Sequence, residues 1–318
     1  MGKNVSKSSL ARANQDRDYH IFEEYAYYLV SEARQKCANH IFKLGGNVYA
    51  FDSTTIDLCL SVFWWAKFRK KKGGIKVHTL YDVETQIPAF FHITEASVHD
   101  SKVMIEIPYE PSSYYIFDRG YNNFKILYKI HQIEAYFVVR AKKNLGYKSI
   151  QWKRRLPKNV LSDASVFLTG FYPKQYYPEP LRLVKYWDEE QEREFTFITN
   201  AMHISALQVA ELYKNRWQVE LFFKWLKQHL KIKRFWGTTE NAVRIQIYAA
   251  ICAYCLVAII QHDMQLDRST YEVLQILSIS LTDKTHLRDL FDKTKFQNDK
   301  ERFGPNGPSL FNFNSSQF

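Results

Sequence analysis

Four polar residues with helical spacing stand out in an otherwise apolar stretch over residues 205–237. They are Tyr213, Arg216, Glu220 and Lys227. At about 100° per residue, they fall within about 60° of one another on a helix, and Lys224 and Lys231 share their face. A single carboxylate among cations and a phenol suits an enzyme that holds a polyanion and a metal ion together. The pattern predicts one long helix that presents this face.

Two further acids lie where strands are expected. Asp52 lies in the segment VYAFDSTTIDLCL, and Asp118 ends the segment YYIFD just before Gly120. Taken alone, each acid also fits a structural role. Asp52 can accept hydrogen bonds from nearby backbone N–H groups, Asp118 can lie in a turn, and Glu220 can form an ordinary ion pair on a helix. Together, three converging carboxylates need a cation. Two Mg²⁺ ions fit, because Mg²⁺ prefers oxygen ligands and keeps positions for water and phosphate; Mn²⁺ can substitute.

Three other acids compete for these roles. Asp57 stands at an odd spacing from Asp52, so the alternation of a strand turns it to the other face. Asp82 ends a strand candidate, and a structural role is expected for it. Asp100 follows His99 and could approach the site, but a turn is the expected setting.

The order of elements decides whether the acids can meet. Residues 8–40 read as helix, and residues 46–141 read as three strands, a helix, a strand, a helix and a strand. In a ribonuclease H-like sheet of this order the first and fourth strands are neighbours, so Asp52 and Asp118 meet and the long helix brings Glu220 to them. The expected fold class is α/β, a ribonuclease H-like mixed sheet flanked by helices, with a β-rich insertion before the last acid.

Composition divides the chain into four parts. Residues 1–45 form a helical region, and residues 46–141 and 200–263 form the catalytic core. Residues 142–199, with four prolines and short strand-like pieces, form the β-rich insertion. Residues 264–318 hold short helices and a tail rich in Asn, Ser, Gly and Pro that is expected to be disordered.

The charge balance favours an anionic partner. The 318 residues hold 44 Lys and Arg against 33 Asp and Glu, a net charge of +11. Residues 67–76 hold six cations, and residues 140–158 hold eight with no acid among them. Such clusters are also common on solvated faces, so charge favours nucleic acid without proving it.

The four cysteines indicate a reducing compartment. No apolar stretch of a signal peptide precedes them, and the expected location is the cytoplasm. Cys252 and Cys255 form a CxxC inside the apolar run IYAAICAYCLVAII, with no second pair to complete a zinc site. Core packing on a buried helix is therefore expected, and no membrane span is predicted from this short run.

These residues together resemble a known family. The spacing Y-x2-R-x3-E-x6-K of Tyr213, Arg216, Glu220 and Lys227 resembles the motif of bacterial DDE transposases of the insertion-sequence-four family. The segments AFDSTTIDL and FDRGYNN are similar to that family's first and second acidic motifs. The segments KKGGIKVHTLYD and ASVHDSK also resemble it, and the likeness spans roughly residues 8–290.

The resemblance implies a role for each motif residue. Asp52, Asp118 and Glu220 would bind two divalent ions. Water would then cut the strand at the transposon end, and the freed 3′-OH would attack a second strand. Tyr213, Arg216 and Lys227 would hold the phosphate and strand, with Lys224 and Lys231 beside them. Trp152 or Trp187, in the insertion, would stack on a flipped base.

The resemblance also implies partners. These are double-stranded DNA with terminal inverted repeats, target DNA and a second copy of the chain when on DNA, in the bacterial cytoplasm at the nucleoid. The N-terminal part that reads the repeats is expected to be shortened, because about 45 residues precede the first strand. Two other functions stay open: a metal-dependent nuclease without strand transfer, and a non-catalytic DNA-binding protein derived from a transposase.

Overall fold

A computed structural model describes residues 6–38, 42–69, 72–229, 235–268, 272–274, 276–277 and 286–293. The chain divides into two compact units, Met1–His262 and Asp263–Phe318. In the second unit a helix spans Leu287–Lys293, and the Arg268 guanidinium donates to the Phe291 carbonyl at 2.9 Å. The tail expected to be disordered lies outside the described residues.

The N-terminal region forms two helices where the sequence predicts one. Helix α1 spans Lys7–Asp16 and helix α2 spans His20–Lys36. The prediction of one helix is wrong because Asp18 interrupts it: its carboxylate accepts the backbone N–H of His20 at 3.0 Å. A short acid that bonds the backbone two residues on favours a turn over a continuing helix.

Four strands follow and form an antiparallel group. Strand β1 pairs with β3, and β3 also pairs with β2 and β4. Asp52 is opposite Thr79 in the β1–β3 register. The three predicted strands are confirmed, and the short β2 was not predicted. The strands are β1 (Val48–Leu58), β2 (Lys67–Arg69), β3 (Lys72–Asp82) and β4 (Ile87–Glu95).

A parallel group then extends the sheet on the other side of β1. Strand β5 runs parallel to β1, and β6 runs parallel to β5. The pairing of the first and fourth predicted strands is therefore confirmed. A helix connects β5 to β6, as is usual between parallel strands. The elements are α3 (Asp100–Val103), β5 (Tyr114–Phe117), α4 (Phe124–Gln132) and β6 (Tyr136–Arg140).

Residues 142–199 continue the same sheet. Strand β10 pairs antiparallel with β6, and β9, β8 and β7 follow in that order. Within the described residues, the strands form one ten-stranded sheet. The elements are β7 (Tyr147–Trp152), β8 (Val160–Leu168), α5 (Phe171–Tyr176), β9 (Leu181–Asp188) and β10 (Arg193–Thr199).

The predicted long helix over residues 205–237 is also wrong, because it breaks near its middle. Helix α6 spans Ala206–Lys214 and helix α7 spans Trp217–His229. At the break, the side chain of Asn215 turns back and donates to the Glu211 carbonyl at 2.9 Å. The capping box that begins α6 is confirmed, since Ser205 and Gln208 bond each other's backbone N–H.

Helix α8 (Glu240–Asp263) packs within the first unit through most of its length. It is long and apolar enough to cross a membrane, with a mean hydropathy of 2.0, but 56% of that window is buried in the protein. Cys252 and Cys255 are both buried and neither forms a disulfide, so their core role is confirmed. Burial raises the pKa of the Cys252 thiol to about 11. Such burial is typical of a core helix.

The core lies on both sides of the central strands. Strand β5 is buried along its whole length, as its run of aromatic and β-branched residues predicts. Helix α4 covers one face with Ile126, Leu127 and Ile130. Helix α7 contacts β1 and buries Val219, Phe222 and Leu226. The sheet therefore holds β1 and β5 rigidly at its centre, where the two aspartates lie.

Candidate active site

Asp52 lies in the middle of β1 with both carboxylate oxygens bonded. Its Oδ1 accepts the backbone N–H of Ser53 at 2.8 Å and the Tyr121 hydroxyl at 3.3 Å. Its Oδ2 accepts Nη1 of Arg216 at 2.7 Å. The carboxylate is fixed by one contact from its own strand and two from distant parts of the chain.

Asp118 comes directly after β5, where the parallel pairing aligns it with Asp52. The register pairs Ala50 with Ile116, and each aspartate lies two residues further along its strand. The same face of the sheet therefore carries both side chains. Asp118 Oδ1 accepts the Tyr213 hydroxyl at 2.8 Å, and Nη1 of Arg140 lies 3.9 Å away.

Glu220 lies in the first turn of α7 and reaches the site through Arg216. The Arg216 guanidinium donates Nη2 to Glu220 Oε1 while Nη1 binds Asp52. Arg216 itself stands at the break between α6 and α7, where its backbone N–H bonds the Tyr213 carbonyl at 3.1 Å. The break therefore lets Tyr213 reach one aspartate and Arg216 the other.

Burial and the surrounding charges shift the pKa values of the two aspartates in opposite directions. Burial raises the pKa of Asp52 to about 6, assisted by the charges of Glu220 and Asp118 and opposed by Arg216 and the Ser53 N–H. Burial acts likewise on Asp118. The pKa of Asp118 is nevertheless lowered. Hydrogen bonds from the Arg119 N–H and the Tyr213 hydroxyl, together with the charges of Arg216 and Arg140, outweigh the effect of burial. The site thus concentrates negative charge that needs nearby cations.

Arg216 supplies that positive charge. Burial alone would lower its pKa, but Asp52, the Tyr213 ring and Glu220 together raise it. Its side chain is only 14% exposed. A buried guanidinium between two carboxylates compensates charges that would otherwise repel each other.

The donor set fits a divalent metal ion, although the carboxylates do not form a ready-made ligand cluster. Among the described residues, no group of three or more His, Cys, Asp or Glu is gathered as metal ligands. The Arg216 guanidinium stands between Asp52 and Glu220. The oxygens present are carboxylate oxygens, the type that Mg²⁺ prefers. Asp52, Asp118 and Glu220 carry these oxygens.

The other predicted binding residues are spread along α7 and the outer strands. Lys224 is exposed on α7, Lys227 is half-buried there, and Lys231 lies outside the described residues. Trp152 ends β7 and is 62% exposed, while Trp187 on β9 is 39% exposed. Neither tryptophan is on a strand adjacent to β1 or β5.

Two of the rival acids take structural positions. Asp82 is buried and accepts Nη2 of Arg34 at 3.0 Å, so the expected structural role fits its contacts. Asp57 is exposed near the end of β1. Neither contacts Asp52 or Asp118 in the described hydrogen bonds.

Asp100 lies much closer to the site than its expected place in a turn suggests. Its Oδ1 accepts the Ser53 hydroxyl at 2.8 Å and Nζ of Lys76 at 3.0 Å, beside Asp52. His78, fully buried, has Nδ1 3.9 Å from the same oxygen. Burial lowers the pKa of His78 to about 4, which keeps it neutral. A signal was present in the sequence: Lys76 and His78 alternate with the apolar Ile75 and Val77 along β3.

A family model described as transposase DDE domain matches residues 43–256. Transposase y4zB of Sinorhizobium fredii is 36% identical over 246 residues, which cover 75% of this chain and 67% of the relative. The transposase for insertion sequence element IS5377 of Geobacillus stearothermophilus is 27% identical, covering 78% of this chain and 66% of the relative. The transposase for insertion sequence element IS4SA of Synechocystis is 25% identical, covering 89% and 80%.

Proposed function

Because the chain belongs to the family of transposases with a DDE domain, we propose that it cleaves DNA strands at transposon ends with divalent metal ions and transfers the freed ends. The family match covers Asp52, Asp118 and Glu220, since it spans residues 43–256. We propose these three as the catalytic acids. The finer assignment to the insertion-sequence-four group rests on the Tyr213, Arg216, Glu220 and Lys227 spacing.

One observation carries the proposal. Asp52 and Glu220 stand 168 positions apart in the sequence, yet both contact one guanidinium, that of Arg216. Asp118 is tied to the same point through Tyr213, which stands three residues before Arg216. A structural ion pair needs two partners. Three acids brought together from three segments, two of them with shifted pKa values, are typical of a functional site.

The sheet order supports a ribonuclease H-like core. Strands β4, β3 and β1 are antiparallel neighbours, and β5 and β6 follow in parallel. We propose residues 46–141 and 200–263 as this core and residues 142–199 as its β-rich insertion. Residues 1–45 would be an N-terminal helical region that takes part in DNA binding, and residues 264–318 the C-terminal part.

In the proposed mechanism, Asp52, Asp118 and Glu220 would hold Mg²⁺ or Mn²⁺. When bound, such ions would supply Lewis-acid activation of the attacking oxygen and charge stabilisation of the leaving oxygen. The Tyr213 hydroxyl keeps Asp118 oriented, and the Ser53 N–H with Tyr121 keeps Asp52 oriented. Orientation of this kind keeps the ligands in place before the substrate arrives.

Arg216 has a second proposed task once DNA is bound. When it leaves the carboxylates, its guanidinium can hold two oxygens of the phosphate to be cut, a geometry that arginine favours. Lys224, Lys227 and Lys231 hold the backbone beyond it. Trp152 or Trp187 stacks on an unpaired base.

The proposed partners follow from the family. The chain would bind the inverted repeats at both ends of its element, and then target DNA. Two copies would act together on paired ends in the bacterial cytoplasm. The 3′-OH of the first cut would attack the opposite strand to give a hairpin, or attack the target directly.

The experiment uses end-labelled duplexes made from the DNA that flanks the coding sequence, with Mg²⁺. We expect Asp52→Asn, Asp118→Asn and Glu220→Gln each to lower cleavage at least about 1,000-fold, because each removes a ligand charge. Binding of the same duplex in EDTA should change less than about threefold, because other cations supply most of the affinity. Asp57→Asn is the matched control, since it removes an exposed acid from the same strand.

The same reactions separate the competing functions. Joining of the cut end to a supercoiled plasmid, seen as a labelled product of higher mass, indicates strand transfer. Cutting without joining would leave a nuclease. Binding without Mg²⁺-dependent cutting in the unaltered chain would leave a DNA-binding protein and refute the proposal. If any one of the three variants kept full activity, the acid replaced in it would not be a catalytic residue.

A further inference from the structure

A basic groove opens beside Asp118. It encloses about 180 Å³ and is formed by the turn after β5, the end of β6 with the loop that follows it, and the faces of β9 and β10. Except for Arg119, which lies in the FDRGYNN segment, its lining residues are outside the motifs that carry the family resemblance. The charged ones are Arg119, Arg140, Lys142, Lys143, Lys185 and Glu194.

The charges in this groove do not balance within the protein. Five of its lining residues are cations and one is an acid, and that acid, Glu194, lies 3.6 Å from Lys185. Among the described residues, Arg119, Lys142 and Lys143 have no carboxylate within ion-pair distance. All three are exposed. The uncompensated charge is therefore available to an anion from outside.

Two residues that line the groove also lie next to Asp118 in the candidate active site. Arg119 follows Asp118 directly in the sequence, and Arg140 reaches to 3.9 Å from the Asp118 carboxylate. The Asn122 side chain donates to the Arg119 carbonyl at 2.7 Å and to the Arg140 carbonyl at 2.8 Å. Because this single amide bonds both backbones, the two walls keep a fixed separation.

Near Arg140, a second arginine lies on β10, on the face opposite to the groove-lining Glu194 and Thr196. The guanidinium of Arg140 lies 5.0 Å from the ring centre of Phe195, and that of Arg193 lies 4.3 Å from the same ring. Burial, together with the charge of Arg140, lowers the pKa of Arg193.

The far end of the groove offers a different contact. Tyr147, the first residue of β7, is 39% exposed and lines the groove beside the half-buried Leu145. A positively charged groove with an exposed aromatic ring is the usual surface for single-stranded nucleic acid, since an unpaired base can stack on the ring.

We propose that this groove binds the backbone of one unpaired DNA strand as it leaves the active site at Asp118. The strand's phosphates contact Arg119 and Arg140 first, then Lys142 and Lys143, and a base reaches Tyr147. This inference rests on the proposed function for the identity of the polyanion. It goes beyond that function because it assigns a path and a strand form.

The test compares two double variants by fluorescence anisotropy in EDTA, with a labelled 20-nucleotide oligo-dT strand and with a blunt duplex. Lys142→Gln/Lys143→Gln removes two groove charges. Lys125→Gln/Lys129→Gln removes two exposed charges from α4 and is the matched control. Melting temperatures of both variants should stay within 2 °C of the unaltered chain, because all four side chains are on the surface.

We expect the groove variant to lose at least about tenfold in affinity for oligo-dT at low salt. Its slope of log affinity against log salt should become shallower by about 1.4, because each phosphate contact on a single strand contributes about 0.7. Blunt-duplex affinity should fall less than about threefold. The control should leave the slope for oligo-dT unchanged. Tyr147→Leu should weaken oligo-dT binding and leave its salt slope unchanged, since stacking releases no counterions.

Three results would overturn the inference. Equal losses in the groove variant and the control would indicate a general charge effect. A loss confined to the duplex would mean that paired DNA lies there. An unchanged slope in the groove variant would mean that Lys142 and Lys143 touch no phosphate. None of these depends on cleavage, so the groove and the proposed catalytic function can fail separately.

Discussion

Arg216 is the residue on which the site depends. The sequence allows it to be an ordinary partner of Glu220 one helical turn away, and that contact is present. Its second contact, to Asp52, connects α7 to the centre of the sheet. A single guanidinium therefore compensates a buried aspartate and holds the helix that carries Glu220 in place.

The residue-scale prediction concerns Arg216→Ala in metal-free buffer at neutral pH. We expect the free energy of unfolding to fall by about 2 kcal/mol, because the partly buried Asp52 carboxylate loses its cation. Arg244→Ala is the control, because Arg244 and Glu240 form a similarly spaced helical pair without a buried acid, and about 0.5 kcal/mol is expected there. Chemical denaturation measures both.

Cleavage provides the second half of this test. Arg216→Ala should reduce cleavage per folded molecule far more than it reduces DNA affinity, because other cations supply bulk binding while this one orients the phosphate. Lower stability with an unchanged rate of cleavage would reduce Arg216 to a structural ion pair. Tyr213→Phe should be milder, since the ring stays and only the bond to Asp118 is lost.

At the scale of elements, the outer strands hold the start of α6. Arg182 on β9 is 2% exposed and binds the Asp163 carboxylate of β8 at 2.7 Å and 2.8 Å. The same guanidinium donates to the carbonyls of Ala201 at 3.2 Å and Ile204 at 2.6 Å. Residues 201–204 lead directly into α6, so this arginine links the strands of residues 142–199 to the helix that carries Tyr213.

The element-scale prediction is that Arg182→Met costs about 3 kcal/mol of unfolding free energy, because it leaves two carbonyls without their donor and Asp163 with only Lys153 as a charged partner. Burial by itself would raise the pKa of Asp163, but the hydrogen bonds from Arg182 and Lys153 outweigh burial and lower this pKa. The stabilisation from this lowered pKa is fully present when the pH is above about 4, the pKa of an aspartate in the unfolded chain. It is lost as the pH falls through the lower folded value, so urea denaturation at pH 7 should give the full cost.

A matched surface pair provides the comparison. Lys214 binds Glu190 at 2.9 Å, but both side chains are more than half exposed. Lys214→Met should therefore cost less than about 0.5 kcal/mol. A cost for Arg182→Met no larger than this would mean that Arg182 does not hold the outer strands and α6 together.

At the scale of the whole molecule, the excess of cations sets how the chain meets DNA. The net charge is +11, and the basic residues cluster in the sequence. One such cluster, residues 140–158, contributes two of the groove's lysines and Arg140. Charge of this kind attracts the phosphate backbone whatever its sequence.

The molecular-scale prediction is a steep salt dependence of duplex binding. The slope of log affinity against log salt should be steeper than about −4, as expected when five or more phosphates are neutralised. Affinity should be measured in EDTA between 50 and 300 mM NaCl, with the acidic-site variant Asp52→Asn as a control that keeps the same slope. A flat dependence would contradict the nucleic-acid interpretation of the net charge.

The sequence by itself determined the strands around Asp52 and Asp118, because alternation and β-branched residues are local signals. It also determined the pairing of the strands that carry them, because strand order limits the sheet topology. The capping box at Ser205 followed from four adjacent residues. Helix breaks did not follow: near Asp18 and Asn215 a polar side chain bonds the nearby backbone, and an apolar periodicity that continues past the break conceals it.

Only the tertiary structure decided which side chains meet around the acids. The contact of Arg216 with Asp52 spans 164 residues, and that of Asp100 with Ser53 spans 47. No local pattern encodes such pairs, because their separation depends on how α7 and α3 pack against β1. The groove beside Asp118 is likewise a product of packing, since its walls come from the turn after β5, from β6 and from β9 and β10. Residue types fix the chemistry that is available, and packing fixes which groups are close enough to use it.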